Sequence, residues 1–208
     1  MRIAVVVFEG FDELDAIGPL EVLRNAASMG DADLQVDLVT LDGAAEVTGS
    51  HGLRVGTDGP LDPDGTDLVV VPGGGWNDRG ASGAWAEAKR GELPAAIAAA
   101  HQGGAVVATV CTGAMLATAA GLTRGRPAVT HHGAIGDLRA AGAEVVEARV
   151  VDDGDLVTAG GVTSGIDMAL WLVERHFGAE LANAVAAEIE HPRVGQVWRA
   201  TPERASGR

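Results

Sequence analysis

Short runs of aliphatic and β-branched residues alternate along this chain with stretches of helical character. Continuous runs cover residues 3–8, 67–71, 105–110 and 156–159, and a run that alternates apolar and polar residues covers 34–41. Continuous apolar runs of this length are typical of parallel strands that are buried on both faces. We therefore predict an α/β fold of the flavodoxin-like, doubly wound kind, with a mostly parallel sheet and helices on both faces.

The remaining stretches fit between these strands. Helices are predicted near residues 15–29, 84–89, 94–102, 134–141, 164–176 and 180–189, with a hairpin over 46–55 and one or two short strands over 144–151. Asp15 is expected to be the N-cap of the first helix, with Pro19 in its first turn. No repeat or linker divides the chain, so residues 1–198 are predicted to form one domain. Residues 199–208 have no apolar pattern and are expected to form a mobile tail.

Composition excludes several classes of partner. Fifteen Lys and Arg residues stand against 29 Asp and Glu residues, so the formal net charge is −14. That balance disfavours nucleic acid and anionic membranes, and the 3% of aromatic residues do not suggest a base-stacking surface. No apolar run approaches the roughly 20 residues that span a bilayer. A single cysteine permits no intrachain disulfide and fits the reducing cytoplasm. We expect a cytoplasmic protein that binds a small molecule.

Cys111, the only cysteine, follows the run 105–110 and precedes Thr112-Gly113 and a helix-forming stretch. A thiol at a strand-to-helix turn resembles the serine of a nucleophile elbow. The free N–H groups and dipole of the following helix are expected to lower the pKa of the thiol. The alternative is a buried cysteine that acts as a small hydrophobic residue.

Ligands of doubly wound folds bind beyond the carboxyl ends of the strands. Four loops meet that rule, after residues 8, 71, 110 and 159. They carry Asp15, the glycines at 73–75, Cys111 with Thr112, and Thr163-Ser164. We expect these distant segments to form one pocket.

The same segments carry a resemblance to a known family. The motifs are residues 11–22 (FDELDAIGPLEV), 67–74, Cys111-Thr112-Gly113-Ala114, 158–161 and 164–167. Together they resemble the ThiJ/PfpI superfamily, the cysteine branch of the class I glutamine amidotransferase-like fold, over residues 3 to about 177. Protease-like members have histidine after the nucleophile, where this chain has Thr112. The pairing of Leu-Asp-x-x-Gly-Pro with Cys-Thr-Gly is instead similar to the members that hydrate isonitriles.

This resemblance implies a cysteine-dependent hydratase that converts an isonitrile to an N-substituted formamide. Cys111 is the expected nucleophile and Asp15 the expected proton donor. Thr112 is expected to orient water or substrate, and the backbone N–H groups of Thr112 and Gly74 to bind developing charge. Candidate pocket residues are Gly73, Ile17, Trp76, Met115, His131 and Val162.

Other interpretations of these residues remain open. Asp15 is also explained as a helix cap, Thr112 as the start of a helix, the glycines as turn formers and Asp167 as a carboxylate suited to a helix dipole. The alternative functions are a small-molecule sensing module that has lost the chemistry, and a glyoxalase or deglycase acting on α-oxoaldehydes. Members of the latter kind have glutamate in the first loop, which counts against it. We expect no cofactor, no metal site and a homodimer, with the helix after Thr163-Ser164 and the hairpin near 47–55 as candidate contacts.

Overall fold

An eight-stranded sheet forms the centre of the chain in a computed structural model that describes residues 1–30, 33–193 and 195–200. The strand order is β12-β10-β11-β7-β6-β1-β2-β5. Its strands are β1 (Arg2–Val6), β2 (Gln35–Thr40), β5 (Gly59–Pro60), β6 (Leu68–Val71), β7 (Val106–Val110), β10 (Val150–Asp152), β11 (Leu156–Ala159) and β12 (Val197–Arg199). All neighbouring pairs are parallel except β10 and β11. The continuous apolar runs thus form the predicted mostly parallel sheet.

Helices cover the sheet in two groups. α1 (Glu13–Met29), α6 (Ser164–Phe177) and α7 (Ala179–Glu188) pack together on one side. The other group is α2 (Ala84–Arg90), α3 (Glu92–Gln102), α4 (Gly113–Ala119) and α5 (Ile135–Ala140). The three central strands β1, β6 and β7 are almost fully buried between these layers, which explains why their sequences lack polar alternation. The doubly wound α/β prediction is confirmed.

Two small strand pairs lie outside the main sheet. β3 (Glu46–Thr48) and β4 (Arg54–Gly56) form the antiparallel hairpin that the sequence predicts over 46–55. β8 (Pro127–Ala128) pairs in parallel with β9 (Glu144–Val145), and a 3-10 turn at His132–Ala134 leads from β8 to α5. The hairpin turn reaches α1, where the N–H of His51 donates to Glu13 Oε1 (2.6 Å).

The start of α1 differs from the prediction. The N-cap is Asp12, so Asp15 is the third residue of the helix and Pro19 lies inside it, beyond the first turn. The prediction of Asp15 as the cap is therefore wrong. At the other end of the chain, Arg199 belongs to β12, which adds to the sheet edge beside β10. Residues 201–208 of the predicted tail lie outside the described residues.

Candidate active site

Backbone hydrogen bonds tie the loops at the carboxyl ends of β1, β6, β7 and β11 directly to one another. The N–H of Asp12 donates to the carbonyl of Gly73 (2.9 Å), and the N–H of Gly73 donates to Asp15 Oδ2 (2.9 Å). The N–H of Gly74 donates to Thr112 Oγ1 (3.0 Å). The N–H of Cys111 is shared between the carbonyls of Ala159 (3.1 Å) and Gly160 (2.8 Å). The four sequence-distant loops therefore meet as predicted, around Cys111.

Cys111 occupies a strained turn between β7 and α4. Its φ is +55°, a left-handed conformation that a residue with a side chain adopts at a cost of about 1–3 kcal/mol. The bonds from its N–H to the β11 loop, and the bond that its carbonyl accepts from Thr130 Oγ1 (2.8 Å), hold the backbone there. The side chain is 6% exposed. The turn has the geometry of a nucleophile elbow.

Asp15 is a fully buried carboxyl group beside this thiol. Its exposure is 0%, and Oδ1 has no hydrogen-bond partner of good geometry among the described residues. Burial and, to a smaller extent, the charge of Asp12 raise the pKa of Asp15 to about 7, although the N–H of Gly73 and the thiol of Cys111 oppose the shift. The thiol of Cys111 approaches the carboxyl group as a weak donor without reaching the geometry of a full hydrogen bond. At neutral pH this carboxyl group is poised to take or give a proton.

The pKa of the Cys111 thiol is raised to about 12, first by burial and then by the negative charge of Asp15. The backbone N–H groups of Thr112 and Val162 point to the sulfur and oppose this shift. The prediction of a pKa lowered by the helix terminus is therefore wrong in direction. Burial of the thiol and then the negative charge of Asp15 outweigh the backbone N–H groups, including that of Thr112 before the seven-residue α4. At neutral pH the thiol of Cys111 therefore keeps its proton, and the carboxyl group of Asp15 is present in both its protonated and its ionised form.

Thr112 and the glycines fix the distance between the loops. Thr112 is 3% exposed, and its hydroxyl accepts the N–H of Gly74. A Cβ on Gly73 would lie 2.4 Å from Thr112 Oγ1 and 2.5 Å from its nitrogen, so no larger residue fits there. Gly74 has φ +114°, and its N–H is engaged by Thr112. Gly74 therefore positions Thr112, and the two N–H groups that point to the sulfur are those of Thr112 and Val162.

The other predicted pocket residues fall in different places. A cavity of about 510 Å³ is lined by Asp12, Glu13, Leu14, His51, Leu53 and Val162. Val162 is thus the predicted wall residue that lines it. Ile17 is half-buried on α1, Met115 lies in the core, and neither lines that cavity.

Trp76 and His131 belong to the rim of the loop cluster. Trp76 is buried, and its Nε1 donates to Asp137 Oδ2 (2.7 Å), so it anchors the loop after β6 to α5. His131 packs against the loop after β11 at Gly161, and its Nδ1 accepts the N–H of Gly133 (3.2 Å). No hydrogen bond joins the His131 ring to Cys111 in the described part of the chain.

Asp167 lies apart from the thiol. It is in the first turn of α6, as expected, but its carboxylate binds Arg149 (Nε, 2.8 Å) and His191 (Nε2, 3.1 Å). It therefore ties α6 to the segments before β10 and after α7, and it does not join the Asp15–Cys111 pair.

Two groups near the thiol were missed by sequence reasoning. The N–H of Val162 faces the sulfur, and the carboxylate of Asp12 lines the cavity. The position of a backbone N–H leaves no signal in the side-chain sequence. Asp12 was not identified as a site residue because Asp15, which precedes the Gly-Pro motif, is the more recognisable acid of the same loop.

Within residues 1–30, 33–193 and 195–200, no group of three His, Cys, Asp or Glu side chains lies close enough to hold a metal ion. No helix in this part of the chain is both long and apolar enough to cross a bilayer.

Comparison with known proteins agrees with this geometry. The model of the DJ-1/PfpI family matches residues 1–175. The chain belongs to the DJ-1/PfpI family. An isonitrile hydratase of Pseudomonas putida is 32% identical over 206 residues, covering 99% of this chain and 85% of that protein.

Two further proteins are also similar to this chain. A deglycase of Thermococcus kodakarensis is 28% identical over 163 residues, covering 76% of this chain and 89% of that protein. A crystal structure of a ThiJ/PfpI family protein from Pseudomonas syringae superposes with a TM-score of 0.77 at 26% identity, covering 91% of this chain and 74% of that one. The family therefore includes relatives with different named activities.

Proposed function

We propose that this protein is a cysteine-dependent hydratase that converts an isonitrile to an N-substituted formamide. The observation that carries the proposal is the pairing of Cys111 with a fully buried carboxyl group whose Oδ1 has no partner of good geometry among the described residues. The pKa of that group, raised to about 7 chiefly by burial, suits proton transfer at neutral pH. The similarity to the Pseudomonas putida isonitrile hydratase supports the same reaction.

The first half of the reaction needs one nucleophile and one proton. Sγ of Cys111 bonds to the terminal carbon of the isonitrile, and that carbon must gain a proton as the bond forms. When Asp15 is ionised, it takes the proton from the thiol and delivers it to the carbon, so the thiol supplies both the nucleophile and the proton. The product is a thioimidate, R–N=CH–S–Cys111, and Asp15 is left ionised.

The second half consumes one water. The ionised Asp15 takes a proton from the water as the water oxygen adds to the thioimidate carbon, and Asp15 passes that proton to the nitrogen. Asp15 then takes the proton of the new hydroxyl group as the C–S bond breaks to leave R–NH–CHO, and it delivers that proton to the sulfur, so that both the thiol and the ionised carboxylate are restored. The N–H groups of Thr112 and Val162 stabilise charge on the departing sulfur, and the Thr112 hydroxyl, held by Gly74, orients the water.

Hydration of cyclohexyl isonitrile tests the proposal, with N-cyclohexylformamide measured by chromatography. Cys111→Ala is expected to abolish turnover. Asp15→Asn is expected to reduce kcat by at least about 100-fold, because it cannot transfer the proton. Asp167→Asn is the matched control, since it replaces another buried acid in the first turn of a helix that does not meet the thiol. It is expected to retain activity in proportion to its folded fraction.

The same assay separates the alternative functions. Full turnover of the isonitrile by Cys111→Ala contradicts the mechanism. Conversion of methylglyoxal to lactate, without hydration of any isonitrile, assigns the glyoxalase or deglycase activity instead. Absence of both reactions, together with thermal stabilisation by a small molecule, indicates a sensing module.

We also propose that the protein is a cytoplasmic homodimer. The single cysteine fits a reducing compartment, and recovery of the protein in a membrane fraction of its cells contradicts that compartment. Light scattering measures the assembly and is expected to give the mass of two chains.

A further inference from the structure

Asp12 occupies the N-cap position of α1 but does not cap the helix. Its side chain makes no capping hydrogen bond, and it has no ion-pair partner among the described residues. Its backbone is held in place by the bond from its N–H to the carbonyl of Gly73. Because Asp12 precedes Asp15 by three residues, both carboxyl groups lie on the same face of the helix start. The carboxylate is therefore fixed close to the reactive pair without a structural partner of its own.

The side chain of Asp12 lies on the wall of the 510 Å³ cavity, together with Val162. Val162 is also the residue whose N–H points to Cys111 Sγ. The cavity thus extends to the loop that faces the thiol. Asp12 and the loop that faces the thiol therefore lie on the wall of the same cavity.

The charges around this cavity are negative. Its lining residues in the described chain include no lysine or arginine. The carboxylate of Glu13 is held by His51 Nδ1 (2.5 Å); despite burial, hydrogen bonds from His51 and Leu53 lower its pKa to about 2, and the pKa of His51 is raised in turn. Glu13 therefore has a counter-charge close by. Asp12 has no ion pair among the described residues. Its charge raises the pKa of Asp15, Cys111 and His51, and it opposes the lowering of the pKa of His131 that burial and His132 cause.

We propose that the cavity beside Cys111 admits uncharged or cationic ligands and rejects anionic ones, and that Asp12 is the residue that makes this selection. An anion entering the cavity meets a carboxylate that has no ion pair among the described residues, and the two like charges repel each other. A neutral ligand meets an apolar surface from Leu14, Leu53 and Val162. If the proposed hydration is correct, the substrates are isonitriles with an uncharged or cationic substituent.

Alkylation of the single cysteine tests the selection without assuming any activity. Iodoacetamide and iodoacetate react in the same way, with Sγ bonding to the CH₂ carbon as iodide leaves and the thiol proton passes to solvent, but only the second carries a negative charge. The ratio of their rate constants at Cys111, measured by mass spectrometry, is expected to exceed the ratio for N-acetylcysteine by about tenfold. Asp12→Asn is expected to move the ratio severalfold toward that of the free thiol, and the charge of Asp15 accounts for the difference that remains. Any change in thiol reactivity itself affects both reagents and cancels.

Asp64→Asn is the control, because it removes an equal charge from an exposed loop away from the cavity. It is expected to leave the ratio unchanged. Asp12→Ser, which keeps an N-cap residue type, replaces Asp12→Asn if that variant does not fold. In the wild-type protein, raising NaCl from 20 to 500 mM is expected to shrink the ratio severalfold by screening. A wild-type ratio equal to that of N-acetylcysteine, or one that is unchanged in both Asp12 variants, overturns the proposal.

A second pair of compounds extends the test to turnover. Methyl isocyanoacetate and isocyanoacetate differ by one negative charge, and the ester is expected to have the larger kcat/KM by at least about tenfold. Asp12→Asn is expected to narrow this difference. Absence of turnover with both compounds and with cyclohexyl isonitrile contradicts the hydratase function, and the alkylation ratios then still decide the role of Asp12. Equal kcat/KM values for acid and ester contradict the selection alone.

Discussion

The carboxyl group of Asp15 is buried in the folded chain and hydrated in the unfolded chain. Its pKa is about 7 when folded, chiefly because of burial, against the ordinary value of 3.8. The folded protein therefore holds this proton more tightly. The resulting stabilisation of the folded state is complete below about pH 4. It is lost as the pH rises through 7, because the folded protein must then hold an ionised carboxylate in a buried position. The same burial that prepares Asp15 for proton transfer thus destabilises the protein at neutral pH.

We predict that Asp15→Asn removes this pH dependence. The difference in unfolding free energy between the variant and the wild type is expected to shift in favour of the variant between pH 4.5 and 8, by up to about 4 kcal/mol. Urea denaturation of both proteins across this range measures it. Other titrating groups, such as the Glu13–His51 pair, are present in both proteins and largely cancel. A difference that is constant with pH would mean that folding does not shift the pKa of Asp15, and it would contradict the raised pKa on which the proton transfer at neutral pH depends.

At the scale of elements, the position of Asp15 depends on how closely α1 packs against α6. Two glycines allow that approach. A Cβ on Gly18 of α1 would lie 3.1 Å from Ile166, and a Cβ on Gly165 of α6 would lie 3.1 Å from both methyl groups of Val110 and 3.2 Å from Pro19. Val110 precedes the nucleophile and Pro19 follows Asp15 by one helical turn. The helix contact therefore sets the distance between the two reactive groups.

We predict that Gly165→Ala destabilises the protein by about 1–3 kcal/mol, because the added methyl group crowds a filled core from several sides. It is also expected to slow alkylation of Cys111 by iodoacetamide, since Val110 must shift. Gly136→Ala is the matched control, because Gly136 lies in α5 with open space at its Cβ position. There the higher helix propensity of alanine is expected to stabilise by up to about 1 kcal/mol. Equal stabilities for the two variants would show that the α1–α6 contact accommodates an added methyl group, and they would contradict the prediction.

The elements themselves were largely predictable from sequence, because each central strand is a short apolar run bounded by turn residues. The features that were not predictable depend on contacts between distant segments. β12 pairs with β10, and its own run of Val197, Trp198 and Arg199 is too short to predict a strand, although Val and Trp favour strands. The start of α1 is set by Asp12, whose N–H is bound by Gly73, and not by the better capping signal at Asp15.

The candidate site likewise has one part that could be predicted from the sequence and one part that could not. The convergence of Asp15, Cys111, Thr112 and the glycines follows from loop positions in a parallel sheet. The direction of the pKa shift of Cys111 does not, because it depends on burial and on the distance to Asp15, and neither has a sequence signal. The helix dipole, which can be inferred from the local sequence, therefore gave the wrong direction for the pKa of Cys111, because burial and the charge of Asp15 have the larger effects.

At the scale of the whole molecule, the net charge of −14 works against self-association. Ion pairs such as Arg24–Asp58 (2.8 Å) and Arg79–Asp137 (2.9 Å) neutralise acids locally but cannot change the excess of 14 negative charges. Two copies that meet bring these excess charges together. The proposed homodimer must then be held by burial of apolar surface, with electrostatic repulsion opposing it.

We therefore predict that the dimer is strengthened by salt. Raising NaCl from 20 to 200 mM shortens the screening length and weakens the repulsion between the two chains, so the dissociation constant is expected to fall by roughly tenfold. Sedimentation velocity over a dilution series at each salt concentration measures it, with sucrose at matched density as the control for solvent effects that do not screen charge. A dimer that dissociates when salt is added would instead be held by ion pairs between opposite charges. A mass of one chain at every concentration and salt level would contradict the homodimer itself.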